Sequence, residues 1–246
     1  VAEALKAGRV SRIFAGPRRD ARVAAVVAEA ASLGVPVVWT DAETLDRDSR
    51  GGRHQGVVAH LVEAPEIGVA DLVGQAGEPA LLVVLDGIVD PQNVGAILRA
   101  ADAAGCHGVV RQTRRAAPLG AAVARASAGA SAHVKVADVV NIARALDELK
   151  SLGVWTVGLA VEAERAYDEV DLTLPVAIVL GAEGTGLRRL VRDTCDWLVR
   201  IPMFGRVGSL NVSVAAGVVL FEARRQRRAR VESRGPHCSG GSTRPV

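Results

Sequence analysis

The sequence predicts an α/β protein with a mainly parallel sheet, preceded by a smaller α/β unit. Three observations carry this expectation. From residue 80 onward, short apolar runs alternate with stretches of helical spacing. The runs are continuous rather than alternating, as strands covered on both faces require. A segment at 65–79, with two Pro, three Gly and little periodicity, reads as a linker that separates this region from residues 1–64.

The elements follow in order. In the first unit, 12–15 reads as a strand, 22–33 as a helix stopped by Gly34, and 36–40 and 56–62 as two further strands. A flexible basic loop, Arg50-Gly51-Gly52-Arg53-His54-Gln55-Gly56, joins the last two. After the linker, 81–85 is a strand of five apolar residues, followed by a polar turn at 86–92 and a helix at 93–104. Further strands fit at 108–111, 133–136, 154–159, 176–180 and 197–201. Helices fit at 118–126, 139–152, 187–193 and 211–228. The last of these is apolar on nearly all sides up to Phe221, so it must be buried within the fold or against a partner subunit. Residues 229–246 have the composition of a disordered basic tail.

Composition narrows the function. Of the 246 residues, 49% are hydrophobic and 23% charged, as in an ordinary soluble globular protein. Aromatics are only 3%, too few for RNA binding by serial base stacking. The formal charge is +3, but from Arg224 onward seven Arg stand against one Glu, so the rest of the chain carries a net −3. Basicity is therefore local. Between Ala103 and Ala137 there is no acidic residue, while Arg111, Arg114, Arg115, Arg125 and Lys135 are present. A second basic cluster, Arg9, Arg12, Arg18, Arg19 and Arg22, lies in the first unit around Asp20. Cys106, Cys195 and Cys238 are far apart with no CxxC spacing, and the five His are dispersed, so neither a disulfide framework nor a metal site is expected. No run approaches the length of a membrane span and no signal peptide is visible, which makes the cytoplasm the expected location. The chain opens at Val1 rather than Met, so a natural start upstream is expected.

Three segments stand out chemically. The first, Asp86-Gly87-Ile88-Val89-Asp90-Pro91-Gln92-Asn93-Val94-Gly95-Ala96-Ile97-Leu98-Arg99, leads from a strand into a helix whose Asn93 and Arg99 are expected not far from one face. The second, Gly181-Ala182-Glu183-Gly184-Thr185-Gly186, places three Gly in six positions after a strand, letting backbone approach a ligand closely. Its order differs from both the Rossmann fingerprint and the P-loop. The third, Ile201 to Asn211, is an irregular loop in which Ser209 and Asn211 are expected to cap the long final helix.

Together these segments resemble the SpoU (TrmH) family of RNA 2′-O-methyltransferases in the SPOUT superfamily, over residues 81–228. Ser-Ala-Gly-Ala at 127–130 and Ile-Pro-Met at 201–203 are similar to the branch that modifies a guanosine of large-subunit ribosomal RNA. Residues 1–64 resemble that branch's small RNA-binding domain, shortened at its start. The resemblance implies a methyltransferase domain at 80–228 whose sheet ends in a deep trefoil knot. It also implies a homodimer and S-adenosylmethionine bound in the knot loops. It carries cofactor contacts to Gly181, Ile201 and Leu210, largely through backbone. Catalytic roles fall on Asn93, Arg99, Glu183, Ser209 and Asn211, with RNA contacts at Arg111, Arg114, Arg115 and Arg125 and no metal. Arg99 is the family's proposed base, but an arginine pKa above about 12 makes proton abstraction difficult. Gripping phosphate and stabilising a developing alkoxide fits it better, and Glu183 either accepts the proton instead or serves to order the knot.

Rival readings keep the chemistry and change the substrate, to transfer RNA or to a resistance-conferring ribosomal methylation. A non-catalytic RNA-binding factor is opposed by the intact set of five catalytic positions. A nucleotide-dependent oxidoreductase is opposed by the missing Gly fingerprint and acidic partner.

Overall fold

The computed structural model describes residues 1–17, 20–49, 54–62, 66–114 and 116–233. Arg18, Arg19, Arg115, part of the basic loop at 50–56 and the tail from 234 lie outside the described residues.

The first unit holds a three-stranded sheet in the order β2-β1-β3. Strand β1 (Val10–Ala15) pairs parallel with β2 (Val37–Trp39) and antiparallel with β3 (Val57–Leu61). Helix α2 (Ala21–Ser32) starts where the Asp20 carboxylate accepts from the Val23 N–H at 2.9 Å. It ends before Gly34, whose φ of 69° lies in the left-handed region that favours glycine. Two short helices, α1 (Ala2–Lys6) and α3 (Ala42–Asp48), were not expected; each is too short to show a period. Leu5, Ile13, Val23 and Ala30 form this unit's own core.

The large sheet is all parallel, seven strands in the order β6-β5-β4-β9-β7-β10-β8. Near its centre β4 (Leu81–Asp86) runs between β5 (Gly108–Gln112) and the middle strand, β9 (Val176–Gly181). Outward lie β6 (Val136–Val139) on one side and β7 (Trp155–Leu159), β10 (Trp197–Arg200) and β8 (Arg165–Ala166) on the other. Every second residue of the central strands faces a different core. Leu81, Val83, Leu85 and Ile178 pack with helix α5 (Pro91–Ala103), α6 (Ala121–Ala126) and α9 (Val212–Ser233). Leu82, Val84 and Val179 pack with α4 (Val69–Gly74), α7 (Ile142–Ser151) and α8 (Arg189–Thr194). Two covered faces explain why the strands read as continuous apolar runs.

Several boundaries differ from expectation. The segment read as a linker contains α4, whose Val69 and Leu72 are buried in the second core. Six residues with two apolar anchors present too little periodicity to recognise. The strand expected at 133–136 lies instead at Val136–Val139. Ala128 and Gly129 adopt φ of 50° and 93°, turning the chain into a 3-10 turn at Ala130–Ala132 before β6 begins. Helix α7 starts at Ile142 rather than 139 because the Asn141 side chain accepts from the Arg144 N–H. Helix α6 starts at Ala121, after Pro118 and Gly120, and α9 continues to Ser233. Strand β8, two residues long, was not foreseen.

Two close approaches fix the surroundings of α5. A Cβ on Gly95 would lie 2.3 Å from the Ala126 Cβ, so α5 and α6 meet through a glycine. At Gly129 a Cβ would lie 2.5 Å from Glu3 Cγ, and the Glu3 carboxylate lies 3.2 Å from His133 Nε2. Among the described residues no helix is long and apolar enough to cross a membrane.

Candidate active site

The carboxyl ends of β7, β9 and β10 open into a pocket of about 430 Å³, a volume ordinary for a small-molecule site. Ligands in parallel sheets bind at this edge because the strand-to-helix loops diverge there. Gly181, Ile201 and Leu210 all line the pocket, and so do Glu183, Ser209 and Asn211. Thus all three positions expected to hold the cofactor, and three of the five expected to be catalytic, converge from the second and third segments.

The glycine loop is tightly folded. Gly186 donates its N–H to the Ala182 carbonyl at 2.9 Å, and Gly184 and Gly186 take φ of 79° and 66°. A Cβ on Gly181 would sit 2.2 Å from the Gly186 carbonyl carbon, a backbone collision that no rotamer relieves. Glycine at 181 is therefore required for the loop to close and expose backbone to the pocket.

Asn211 joins the segments. Its Nδ2 donates to Asn93 Oδ1 at 2.9 Å and to Glu183 Oε1 at 2.6 Å. Its Oδ1 accepts from the N–H and hydroxyl of Ser213, which caps α9. Asn93 is 6% exposed, in the first turn of α5, so its amide is aimed inward at this network. The expected capping pair is thus reduced to Asn211 among the described contacts; Ser209 is exposed at the pocket wall.

Arg99 does not share a face with Asn93. Six residues of α-helix turn the side chain by roughly 600°, leaving the two about 120° apart and about 9 Å along the axis. Asn93 is buried, whereas Arg99 is exposed. The basic positions also divide. Arg114 and Arg125 are exposed. Arg111 is occupied: its Nη1 donates to the Ala117 carbonyl. Its Nε lies 2.8 Å from Asp138 Oδ1, close enough for an ion pair though off the line of a hydrogen bond. Arg115 is outside the described residues.

Sequence reasoning missed Leu159, Ala160, Val161 and Met203 on the pocket wall. The first three follow the carboxyl end of β7, and that position was the available signal. It also missed the partner of Asp86, a carboxylate 1% exposed at the end of β4.

Residues 80–221 match the SpoU rRNA Methylase family, and residues 1–66 match the RNA 2′-O ribose methyltransferase substrate binding domain. The 23S rRNA (guanosine-2′-O-)-methyltransferase RlmB of Ralstonia nicotianae is 47% identical over 87% of this chain and 86% of its own. Its counterpart in Bordetella pertussis is 48% identical over 85% and 86%. Among solved structures, the SpoU methyltransferase AviRb from Streptomyces viridochromogenes, in complex with AdoMet, superposes with a TM-score of 0.78 at 26% identity, covering 93% of this chain and 87% of that one. The AdoMet-bound rRNA methyltransferase from Sinorhizobium meliloti gives 0.73 at 28%, covering 91% and 83%.

Proposed function

Because the chain belongs to the SpoU rRNA Methylase family, we propose that it transfers a methyl group from S-adenosylmethionine to the ribose 2′-hydroxyl of a 23S rRNA guanosine. The observation that carries this reading is the convergence of Gly181, Ile201, Leu210, Glu183, Ser209 and Asn211 on one pocket. The glycine-lined wall and the pocket's volume fit the cofactor, which supplies an electrophilic methyl on a sulfonium when bound.

The protein's work is alignment and charge management. Backbone at Gly181, Ile201 and Leu210 would hold the cofactor, and the Asn211 amide holds Glu183 at the pocket wall. Holding the hydroxyl in line accounts for several orders of magnitude in rate. Glu183 is exposed and hydrogen-bonded, and it accepts the hydroxyl proton in this reading. Arg99, exposed and away from Asn93, grips RNA phosphate and offsets charge developing on the ribose oxygen. Arg114, Arg125 and Arg115 contribute further RNA contacts, while Arg111 is tied to the Ala117 carbonyl beyond Arg114.

The same reading includes a homodimer, no metal, and action in the cytoplasm, where ribosomal RNA is made in bacteria. Val214 and Phe221, each about half exposed and seven residues apart on α9, support the dimer as an apolar stripe. The trefoil knot is supported by β9 inserting between β4 and β7 and by α9 returning to pack on α5. Residues 1–64 select the site on RNA.

The test is methyl transfer from labelled S-adenosylmethionine to bulk ribosomal and bulk transfer RNA, with nucleoside analysis. Labelled 2′-O-methylguanosine from ribosomal RNA is expected. Label confined to transfer RNA would overturn the substrate, and label in neither would overturn the activity.

A further inference from the structure

Asp86 is an unusual residue in its setting. It ends a strand of five apolar residues, and its side chain is fully buried. A carboxylate in such a place is costly unless its acceptors are satisfied. Both are, and by a single residue. Oδ2 accepts the Arg188 backbone N–H at 2.8 Å, and Oδ1 accepts Arg188 Nε at 2.6 Å. The guanidinium then reaches on, donating from Nη2 to Gln112 Oε1 at 2.8 Å, at the end of β5.

The placement of this pair matters more than its strength. Asp86 is the register partner of Gly181 across the β4–β9 ladder, and Arg188 closes the loop that Gly181 opens. The Asp86 backbone thus pairs with the loop's entry in the β4–β9 ladder, while its carboxylate holds the exit at Arg188. Between those ends Glu183, Gly184, Thr185 and Gly186 are exposed, and only Leu187 reaches toward the core. A buried ion pair is weak evidence for stability, since packed apolar residues do as well. An apolar pair at these positions would give the Arg188 N–H no acceptor and leave the loop exit unanchored.

We propose that Asp86 and Arg188 are positioning residues that clamp the exit of the 181–188 loop to the strand its entry pairs with, setting Glu183 and the pocket-facing backbone without touching substrate. Gln112 extends the clamp toward the basic segment after β5. The proposal rests on the methyltransferase reading for its consequence, and on the free protein for its geometry.

The test uses the full chain with Asp86→Asn, Arg188→Ala and Arg188→Lys. Amide exchange of the ligand-free protein reads the clamp directly. Asp86→Asn should raise exchange at 182–188 on the order of tenfold or more while β4 and β9 stay protected. Titration with S-adenosylmethionine should show a dissociation constant weakened on the order of tenfold to a hundredfold in Asp86→Asn and Arg188→Ala. Arg188→Lys, which keeps the charge, should recover part of that loss, and RNA affinity should stay near wild type in all three. Wild-type exchange in the loop of Asp86→Asn would overturn the proposal. So would a reduced number of cofactor sites at unchanged affinity, because that marks a folding role alone. A wild-type chain that binds no S-adenosylmethionine would defeat the functional reading, and loop exchange would still decide the clamp.

Discussion

Asn211 uses one amide for four hydrogen bonds, donating to Asn93 and Glu183 and accepting twice from Ser213. That is the amide's ready capacity of two donors and two lone pairs. The two ends have separable roles, since Oδ1 caps α9 and Nδ2 joins Asn93 to Glu183. Asn211→Asp keeps the cap, and a negative charge suits a helix N-terminus. It also sets a third acceptor against Asn93 Oδ1 and Glu183. We therefore expect Asn211→Asp to melt near wild type yet lose methyl transfer on the order of a hundredfold. Asn211→Ala should lose the same activity and about 1 kcal/mol of stability besides. Thermal melts and single-turnover assays check both, and an Asn211→Asp enzyme of normal turnover would remove Nδ2 from the mechanism.

At the scale of elements, α5 carries Asn93 and depends on how closely α6 approaches it. Gly95→Ala would place a methyl 2.3 Å from the Ala126 Cβ and 2.9 Å from the Ser127 amide nitrogen. The helices must part, at an expected cost of about 1–3 kcal/mol. Because Asn93 moves with α5, turnover should fall further than the stability loss explains; denaturant titration alongside kinetics would separate the two. The start of β4 depends on a histidine. His107 Nδ1 accepts the Leu81 N–H at 3.0 Å, which requires neutral imidazole at that nitrogen. Burial holds its pKa below the usual 6.5, helped by Arg227 and Arg224 and opposed by Glu78. The folded chain thus resists a proton that the unfolded chain takes up near pH 6.5. This contribution is complete above that pH and is lost as pH falls through 6.5 toward the depressed folded value. Urea midpoints at pH 7.5 and 5.5 should differ in the wild type and differ less in His107→Asn. An equal difference in both would assign the slope to other groups.

For the whole molecule, the long final helix has one face in the core and another outside. Ala216, Val219, Leu220 and Ala223 are buried, whereas Val214 and Phe221 are about half exposed. The same helix is anchored at its far end by Arg227, whose guanidinium donates to the carbonyls of Pro79, Ala80, Leu172 and Leu174. If the outer stripe joins two copies, Phe221→Asp should convert a dimer into a monomer in light scattering while leaving the pocket-lining residues unchanged. A wild-type chain that is already monomeric would refute the stripe's role. RNA affinity should fall steeply between low and moderate salt, because phosphate contacts release counterions, while cofactor affinity should change little. Parallel loss of both would contradict the separate assignments of Arg114 and Arg125 to RNA and of the glycine loop to the cofactor.

What the sequence determined by itself follows from short-range physics. Continuous apolar runs marked strands covered on both faces, and Gly34 and the apolar spacing of 22–33 marked a helix and its end. The glycine-rich motif and the loop before the last helix, each ambiguous alone, pointed through the family resemblance to Gly181, Ile201 and Leu210, which line the pocket. Elements with little period were not legible: α4 is six residues long with two buried anchors, and β8 has two residues. Only the tertiary structure decided which motif residues meet. Asn93 and Asn211 are 118 residues apart and form one hydrogen bond, while Arg99, six residues from Asn93, faces elsewhere. Asp86 read as part of a polar turn until the fold buried it against Arg188, 102 residues away. Sequence patterns encode which side of a segment faces the core; partners across the chain are chosen by sheet order and packing.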